Sequence, residues 1–336
     1  MAVLRQSILT SPDAQRFFVG AAWLSNQLTD LTPNDLNARV PNEARPRAVI
    51  AGNPAAMSRQ VSWWDLLAWW HLVAMAQSTG SGNRAHRGPV FLPWHRLFLR
   101  RLEEWMQIIW ADDTFALPYW DWAADGELPI VAGPGVQVTQ SSAPLWSDAL
   151  AGESQGVVTT GPVGDLRIRL WENIGTGALQ AVAPRRIFRE SGLRGLPMLP
   201  TRQEEQETLD DDLYDEPEWD DDTVTFRNKL EGFEPSAGEA TRGAYMHNQV
   251  HVWVGGDMLP GTSPNDPVFW LNHCNVDRLW EGWMIDNGRQ YAPGPGEGPP
   301  FHRSNSPLYS IFAGGSMTPV QILDPTAPGL DWYTYG

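Results

Sequence analysis

Apolar side chains recur at helical spacing in five segments of the chain, which predicts a mainly α-helical protein. Ser62-Trp-Trp-Asp65 resembles a capping box that opens the second segment, and Pro93 lies where the first turn of the third would begin. Gly255-Gly256 would stop the fourth helix, and Asn265-Asp266-Pro267 would cap the fifth. The predicted helices span about 13–28, 63–77, 93–109, 244–253 and 267–283.

The rest of the chain is less regular. Residues 125–225 are rich in Gly and Pro with only weak strand signals, and the tail from Tyr291 reads as loop. No low-complexity linker divides the sequence, and it contains no internal repeat. We therefore expect a single domain over residues 1–336, with long irregular loops.

Composition and charge exclude several classes of protein. Hydrophobic residues make up 42% of the 336 positions, which argues against disorder. The net charge of −16 would repel phosphate backbones, so a nucleic-acid partner is not expected. The longest apolar stretch, Trp63 to Ala76, carries Asp65 and His71 and is shorter than the roughly 18 residues that a membrane span needs. A single cysteine, Cys274, excludes an internal disulfide.

Two further expectations come from the charge pattern and the N-terminus. Twelve acidic residues and no basic ones lie in 204–222, which predicts a solvated surface loop. The first residues lack the pattern of a signal peptide, which predicts a cytoplasmic location, while export with a helper protein stays open.

Six of the seven histidines lie in or beside the predicted helices. His247 and His251 are four residues apart, so on a helix both imidazoles face one side. His71 and His273 lie inside apolar helices, where a buried imidazole needs a partner. Three histidines could close one metal site and three another, and imidazole ligands favour copper, zinc, iron or nickel over magnesium or calcium. The two predicted triads are His71, His86 and His95, and His247, His251 and His273.

Two long motifs around these histidines resemble those of tyrosinases and related type 3 copper proteins. Ala85-His86-Arg-Gly-Pro-Val-Phe-Leu-Pro-Trp-His95-Arg and Leu117-Pro-Tyr-Trp-Asp-Trp122 resemble the first copper-binding region, about 63–122. Met246-His247-Asn-Gln-Val-His251-Val-Trp-Val-Gly-Gly256 and Ser263-Pro-Asn-Asp-Pro-Val-Phe-Trp-Leu-Asn-His273-Cys-Asn-Val-Asp-Arg-Leu-Trp280 resemble the second, about 226–285. Arg5 and Tyr333-Thr-Tyr335 also match elements near the two ends of the family's catalytic domain.

The resemblance implies a type 3 copper fold, in which a central four-helix bundle holds a dicopper site. The first triad would bind CuA and the second CuB, and O2 would be the co-substrate. The implied reaction is ortho-hydroxylation of monophenols, oxidation of o-diphenols to o-quinones, or both. The apolar helices would keep water away from a reactive oxidant.

The resemblance also suggests residues around the metals. Asn248 and Glu231 match positions that hold a water thought to deprotonate the phenol, and Glu239 competes with Glu231 for this role. Phe269 would stack against a CuB ligand, and Asp277 would orient a ligand or pair with Arg278. The loop Asp257 to Thr262, with Met258 and Pro260, would border the substrate mouth, whereas His302 reads as an ordinary surface residue.

The sequence departs from the family at three points. Asn272 stands where the family usually has a histidine that is not a ligand, which puts the substrate preference in doubt. No cysteine lies near His86, so the Cys–His thioether of some fungal and plant members cannot form, and Cys274 reads as a core residue. The chain also ends without the C-terminal lid of some relatives, so copper would enter an open site or arrive with a separate helper protein.

Three alternatives to a phenol oxidase remain open on the sequence alone. An o-aminophenol oxidase with the same dicopper site would take an aminophenolic substrate and is compatible with Asn272. A haemocyanin-like protein would bind O2 without turnover. A structural zinc protein would use the same histidines without redox chemistry.

Overall fold

The computed structural model of the chain describes residues 2–78, 82–128, 140, 143–196, 198–236, 239–312 and 317–336, with no side chains described over 234–243. Its α-helices are α1 (Ala14–Asn26), α2 (Pro33–Arg39), α3 (Arg45–Ala48), α4 (Pro54–Met57), α5 (Trp63–Met75), α6 (Phe91–Trp110), α7 (Trp122–Gly126), α8 (Arg202–Leu209), α9 (Phe226–Glu231), α10 (Met246–Val254) and α11 (Pro267–Asp286). Its strands are β1 (Val3–Arg5), β2 (Gln155–Val157), β3 (Ile168–Asn173), β4 (Ala178–Arg185), β5 (Phe188–Glu190), β6 (Phe233–Ser236), β7 (Glu239–Ala244) and β8 (Tyr333–Tyr335).

The five predicted helices are confirmed as α1, α5, α6, α10 and α11, with bounds that shift by up to three residues. At α5 the Ser62 hydroxyl accepts the Asp65 N–H at 3.1 Å, and the Asp65 carboxylate accepts the Ser62 N–H at 2.8 Å. This reciprocal pair is the predicted capping box. Asp266 caps α11 by accepting the Val268 N–H at 3.0 Å. None of the helices that the structure describes has both the length and the apolar character to cross a membrane.

The expectation of an irregular 125–225 segment is wrong in part. Strands β3 and β4 pair antiparallel in this range, and the side chains of β3 alternate between buried and half-buried. Leu170 and Leu179 pack with Trp69 and Leu72 of α5, so the hairpin covers the outer face of that helix. The weak strand signal in the sequence corresponds to the β3–β4 hairpin. A two-stranded hairpin alone is marginally stable, and packing on α5 stabilises this one.

Helices α5, α6, α10 and α11 form the centre of the fold, as the predicted type 3 copper architecture requires. Trp70 of α5 meets Phe98 of α6 with ring centroids 4.9 Å apart, and Phe98 meets Trp270 of α11 at 4.5 Å. Helix α10 meets α11 through His247 and His273, at 4.5 Å. Nine tryptophans are fully buried, which makes the surroundings of these helices rigid and dry. They are Trp64, Trp70, Trp94, Trp120, Trp122, Trp253, Trp270, Trp280 and Trp283.

A buried ionic network joins both ends of the described chain to two of these helices. Strand β1 pairs parallel with β8, and this brings Arg5 next to Tyr335. The Asp277 carboxylate of α11 accepts hydrogen bonds from Arg5, Arg96 of α6, Tyr333 and Tyr335. Of the two alternatives predicted for Asp277, pairing with Arg278 is wrong, because two guanidiniums from other elements and two tyrosine hydroxyls occupy the carboxylate.

Candidate metal centre

The first triad combines two helices and the loop that joins them. His71 lies on α5, His95 on α6 and His86 in the intervening loop, and one nitrogen from each lies within 4.8 Å of the others. The Nδ1–H of His71 donates to the Gly261 carbonyl at 2.7 Å, and that of His95 donates to the Phe91 carbonyl at 2.8 Å. These bonds turn both Nε2 atoms towards the centre of the triad.

The second triad is built in the same way from α10 and α11. His247 and His251 lie one turn apart on α10, and His273 faces them from α11. The Nδ1–H of His247 donates to the Glu231 carbonyl at 2.9 Å, and that of His251 donates to the Met258 carbonyl at 2.6 Å. The His95 and His273 rings stack with centroids 4.1 Å apart, so the two triads adjoin.

The ring nitrogens show that a metal ion fits each triad. His71 Nε2 lies 3.0 Å from His86 Nε2, although the proton of His71 is already held on Nδ1 by Gly261. The His86 Nδ1 lies 3.3 Å from a Glu231 carboxylate oxygen, which favours a proton there as well. Two nitrogen lone pairs at this separation repel each other unless a cation lies between them.

In the second triad His247 Nε2 lies 3.0 Å from His273 Nε2. The Nε2 atoms of His95 and His251 are buried and have no hydrogen-bond partner among the described residues. Metal coordination would use all of these nitrogens.

Burial keeps the imidazoles neutral. It lowers the pKa of all six histidines, to about 3 for His86 and about 4 for His251. Neutral imidazole is the form that binds a metal ion, and it leaves the ion's positive charge uncompensated.

Both triads open onto one cavity of about 1040 Å³. His71 and His86 line it from the first triad, and His247 and His251 from the second. The charged residues that line it include Arg47, Arg87, Glu172 and residues 220–222. A substrate in this cavity would therefore reach both triads.

Glu231 contacts ligands of both triads. Its carboxylate is buried, accepts the Arg87 N–H at 2.6 Å and pairs with Arg227 at 3.0 Å. Burial raises the pKa of this carboxyl, and Arg227 and Arg87 offset part of the rise. Asn248 also lines the cavity, with its Oδ1 3.1 Å from His247 Nδ1. The competing residue Glu239 is the first residue of β7, and its side chain lies outside the described part of the structure.

Phe269 forms part of the apolar wall behind the ligands. Its ring centroid lies 4.1 Å from that of His273, 5.2 Å from His71 and 5.8 Å from His251. The ring contacts histidines of both triads and is fully buried, so it closes this side of the centre to water.

The loop predicted to border the substrate mouth, residues 257–262, lines the cavity over only part of its length. Leu259, Pro260 and Gly261 line the cavity. Met258 does not line it, because its side chain is buried and its carbonyl accepts the His251 Nδ1–H.

Cys274 is a core residue as expected, and burial raises the pKa of its thiol to about 12. Asn272 is fully buried, and neither polar atom of its amide has a partner among the described residues.

Two expectations for surface residues are wrong. His302 is completely buried because the tail folds over the loop after His86, where it contacts Gly88 and accepts the Val90 N–H at 3.5 Å. Burial lowers the pKa of His302 to about 3. The 204–222 segment is only partly solvated, because Asp215 is buried in an ion pair with Arg227 at 2.7 Å.

Comparison with known proteins agrees with this geometry. Residues 61–286 match the family described as the common central domain of tyrosinase. The tyrosinase of Streptomyces antibioticus is 38% identical over 240 residues, covering 69% of this chain and 77% of its own. The tyrosinase of Streptomyces lincolnensis is 37% identical over 236 residues, covering 68% and 76%.

Solved structures share the fold. A polyphenol oxidase from Thermothelomyces thermophila superposes with a TM-score of 0.66 at 20% identity, covering 99% of this chain and 88% of that one. A functional unit of octopus hemocyanin gives a TM-score of 0.50 at 16% identity, covering 99% and 68%. The family match spans both histidine triads and most of the chain, and we conclude that the protein belongs to the tyrosinase family.

Proposed function

We propose that the protein is a copper-dependent oxidase that uses O2 to hydroxylate monophenols at the ortho position, to oxidise o-diphenols to o-quinones, or both. The observation that carries this proposal is the pair of adjoining triads of buried, neutral imidazoles at one cavity. When bound, the copper pair would supply the redox chemistry with O2. The protein itself would provide the ligands, a dry wall and a path for the phenol proton.

We assign the two copper ions to the two triads. CuA would be held by His71, His86 and His95, and CuB by His247, His251 and His273. Five of the six rings have a contact at Nδ1, four with backbone carbonyls and His86 with the Glu231 carboxylate. These contacts support Nε2 coordination and a fixed ring orientation.

Glu231 and Asn248 are the proposed proton-handling residues. They would hold a water molecule that takes the proton of an incoming phenol, since both line the cavity beside His247. Phe269 would act by excluding water next to the ligands.

We also propose that residues 1–336 form one tyrosinase-like domain, with the CuA region at about 63–122 and the CuB region at about 226–285. The pairing of β1 with β8 and a large hydrophobic cluster that includes residues from Val3 to Tyr333 support this division. A copper-delivery helper protein and a cytoplasmic location stay predictions from the sequence.

Metal analysis combined with an optical spectrum tests the function. We expect two copper ions per chain and a near-ultraviolet charge-transfer band when the reduced, copper-loaded protein meets O2. Catechol, tyrosine or both should then be turned over. Binding of zinc in place of copper, O2 binding without turnover, or turnover of o-aminophenol alone would each contradict the proposal.

Glu231→Gln should reduce monophenol hydroxylation more than diphenol oxidation. The amide keeps the size of the side chain but is a far weaker base, and general-base assistance is worth roughly 10²-fold or more. The measurement is the ratio of kcat for tyrosine to kcat for catechol at constant copper content. A proportional fall in both rates would count against a role in proton transfer, and loss of copper would indicate that Glu231 only supports His86.

A further inference from the structure

One loop between α10 and α11 orients a ligand in each triad. The Met258 carbonyl accepts from His251, and the Gly261 carbonyl accepts from His71. The second bond links the two triads. The loop directly follows α10, which carries His247 and His251 of the second triad, yet its Gly261 carbonyl fixes His71 of the first. Whatever holds Gly261 in place therefore also sets the orientation of the His71 ring.

The β3–β4 hairpin holds this loop at two points. At one end of the loop, Asp257 accepts two hydrogen bonds from Arg185 of β4, at 2.8 and 2.6 Å. At the other end, the Glu172 carboxylate of β3 accepts the Gly261 N–H, and the Glu172 N–H donates to the Thr262 hydroxyl at 3.1 Å. Gly261 thus has a carboxylate on its N–H and the His71 imidazole on its carbonyl, which belong to the two successive peptide groups on either side of its Cα.

Glu172 is suited to this position because its charge is buried and paired. Its second oxygen accepts from Arg47 Nε at 2.9 Å, and Arg47 is the solvent-exposed member of this pair. A side chain on residue 261 would place its Cβ 2.5 Å from Leu72 Cδ1 and 2.8 Å from a Glu172 oxygen. Glycine therefore permits the close approach of the loop to Glu172 and α5.

We propose that Glu172 is a positioning residue for His71, which acts through the backbone of Gly261 and thereby sets the copper affinity of the first triad. The Glu172 carboxylate holds the Gly261 N–H and the Glu172 N–H holds the Thr262 hydroxyl, so the backbone on both sides of the Gly261 Cα is fixed and the Gly261 carbonyl stays directed at the His71 Nδ1–H. A hydrogen bond held in this way fixes the ring so that Nε2 faces the metal. The inference rests on the proposed copper function.

The test measures Cu(I) affinity at each triad separately, by competition with a chromophoric Cu(I) chelator. His273→Ala leaves the first triad complete, and His95→Ala leaves the second complete. In the His273→Ala background, Glu172→Ala should weaken Cu(I) binding by roughly 10- to 100-fold, the usual cost of losing an outer hydrogen-bond partner. In the His95→Ala background it should leave the affinity unchanged. Glu172→Gln should lose less than Glu172→Ala, because its amide oxygen can still accept the Gly261 N–H.

Glu153→Ala is the matched control. Its carboxylate also anchors a loop, by accepting the Thr159 and Thr160 N–H groups, but that loop holds no ligand. It should leave both affinities unchanged. Equal weakening of both triads by Glu172→Ala, or no weakening of the first, would overturn the inference. Failure of the unsubstituted protein to bind Cu(I) would instead overturn the proposed function itself.

Discussion

Replacing His251 with alanine is expected to remove one copper ion per chain and to abolish oxidation of both phenols and diphenols. His251 Nε2 is buried and has no hydrogen-bond partner among the described residues, and its Nδ1–H is held by the Met258 carbonyl, so Nε2 is oriented for metal coordination. The loss should exceed the roughly 10- to 100-fold that an outer hydrogen-bond partner is worth, because a ligand itself is removed. Copper content by elemental analysis and kcat for catechol measure the two effects.

His302→Ala is the matched control for this substitution. His302 is also a buried histidine with a lowered pKa, but it lies outside both triads. Two copper ions should remain bound to the His302 variant. Full activity of the His251 variant, or loss of copper from both variants alike, would contradict the ligand assignment.

Asp277→Ala should produce the largest loss of stability of any single substitution in the ionic network. The substitution leaves the buried guanidiniums of Arg5 and Arg96 without a shared carboxylate, together with two tyrosine hydroxyls. Removal of one partner from a buried ion pair costs about 3–5 kcal/mol when the remaining charge is left uncompensated. Glu103 still pairs with Arg5 and Glu281 with Arg96, so we expect a loss at the lower end of this range. The free energy of unfolding, from urea denaturation of the copper-free protein, gives the measurement.

Asp286→Ala provides the comparison on the same helix. Asp286 is exposed at the end of α11, so its removal should change the free energy of unfolding by less than about 0.5 kcal/mol. A similar loss in both variants would mean that the network does not stabilise the fold.

The same carboxylate should make stability depend on pH. Burial alone would raise the pKa of Asp277, but Arg96, Arg5 and the two tyrosine hydroxyls outweigh it and lower the pKa below its usual value. A carboxyl whose pKa is lower when folded contributes stability above the unfolded pKa of about 3.9, and loses it as the pH falls through the folded value. The difference in unfolding free energy between the protein and Asp277→Asn should therefore shrink below about pH 4.

The sequence was most informative where the chemistry is local. The four-residue spacing of His247 and His251 and the apolar surroundings of His71 and His273 indicate metal ligands once all six histidines are taken together, and the structure brings them into two triads. The caps at Ser62 and Asp266 also depend only on neighbouring residues, and both helix starts were predicted correctly.

The sequence was least informative where a residue acts over a long separation. Glu172 lies 89 residues from Gly261, and Gly261 lies 190 residues from His71, so no local pattern links them. The same reason applies to His302, whose Pro-rich surroundings suggest exposure, while the contact that buries it is with the loop after His86. The acidic run alone predicts that Asp215 is solvated, because its partner Arg227 follows the run and carries no signal of burial.

The ionic network around Asp277 has a consequence for how the protein is made. Its members are separated by up to 330 residues, since Arg5 belongs to β1 while Tyr333 and Tyr335 belong to β8. Synthesis runs from Arg5 towards Tyr335, and contacts of such long separation form slowly. The complete set of hydrogen bonds on Asp277 therefore forms only after β8 has been made, although Arg96 and Asp277 can pair before that point.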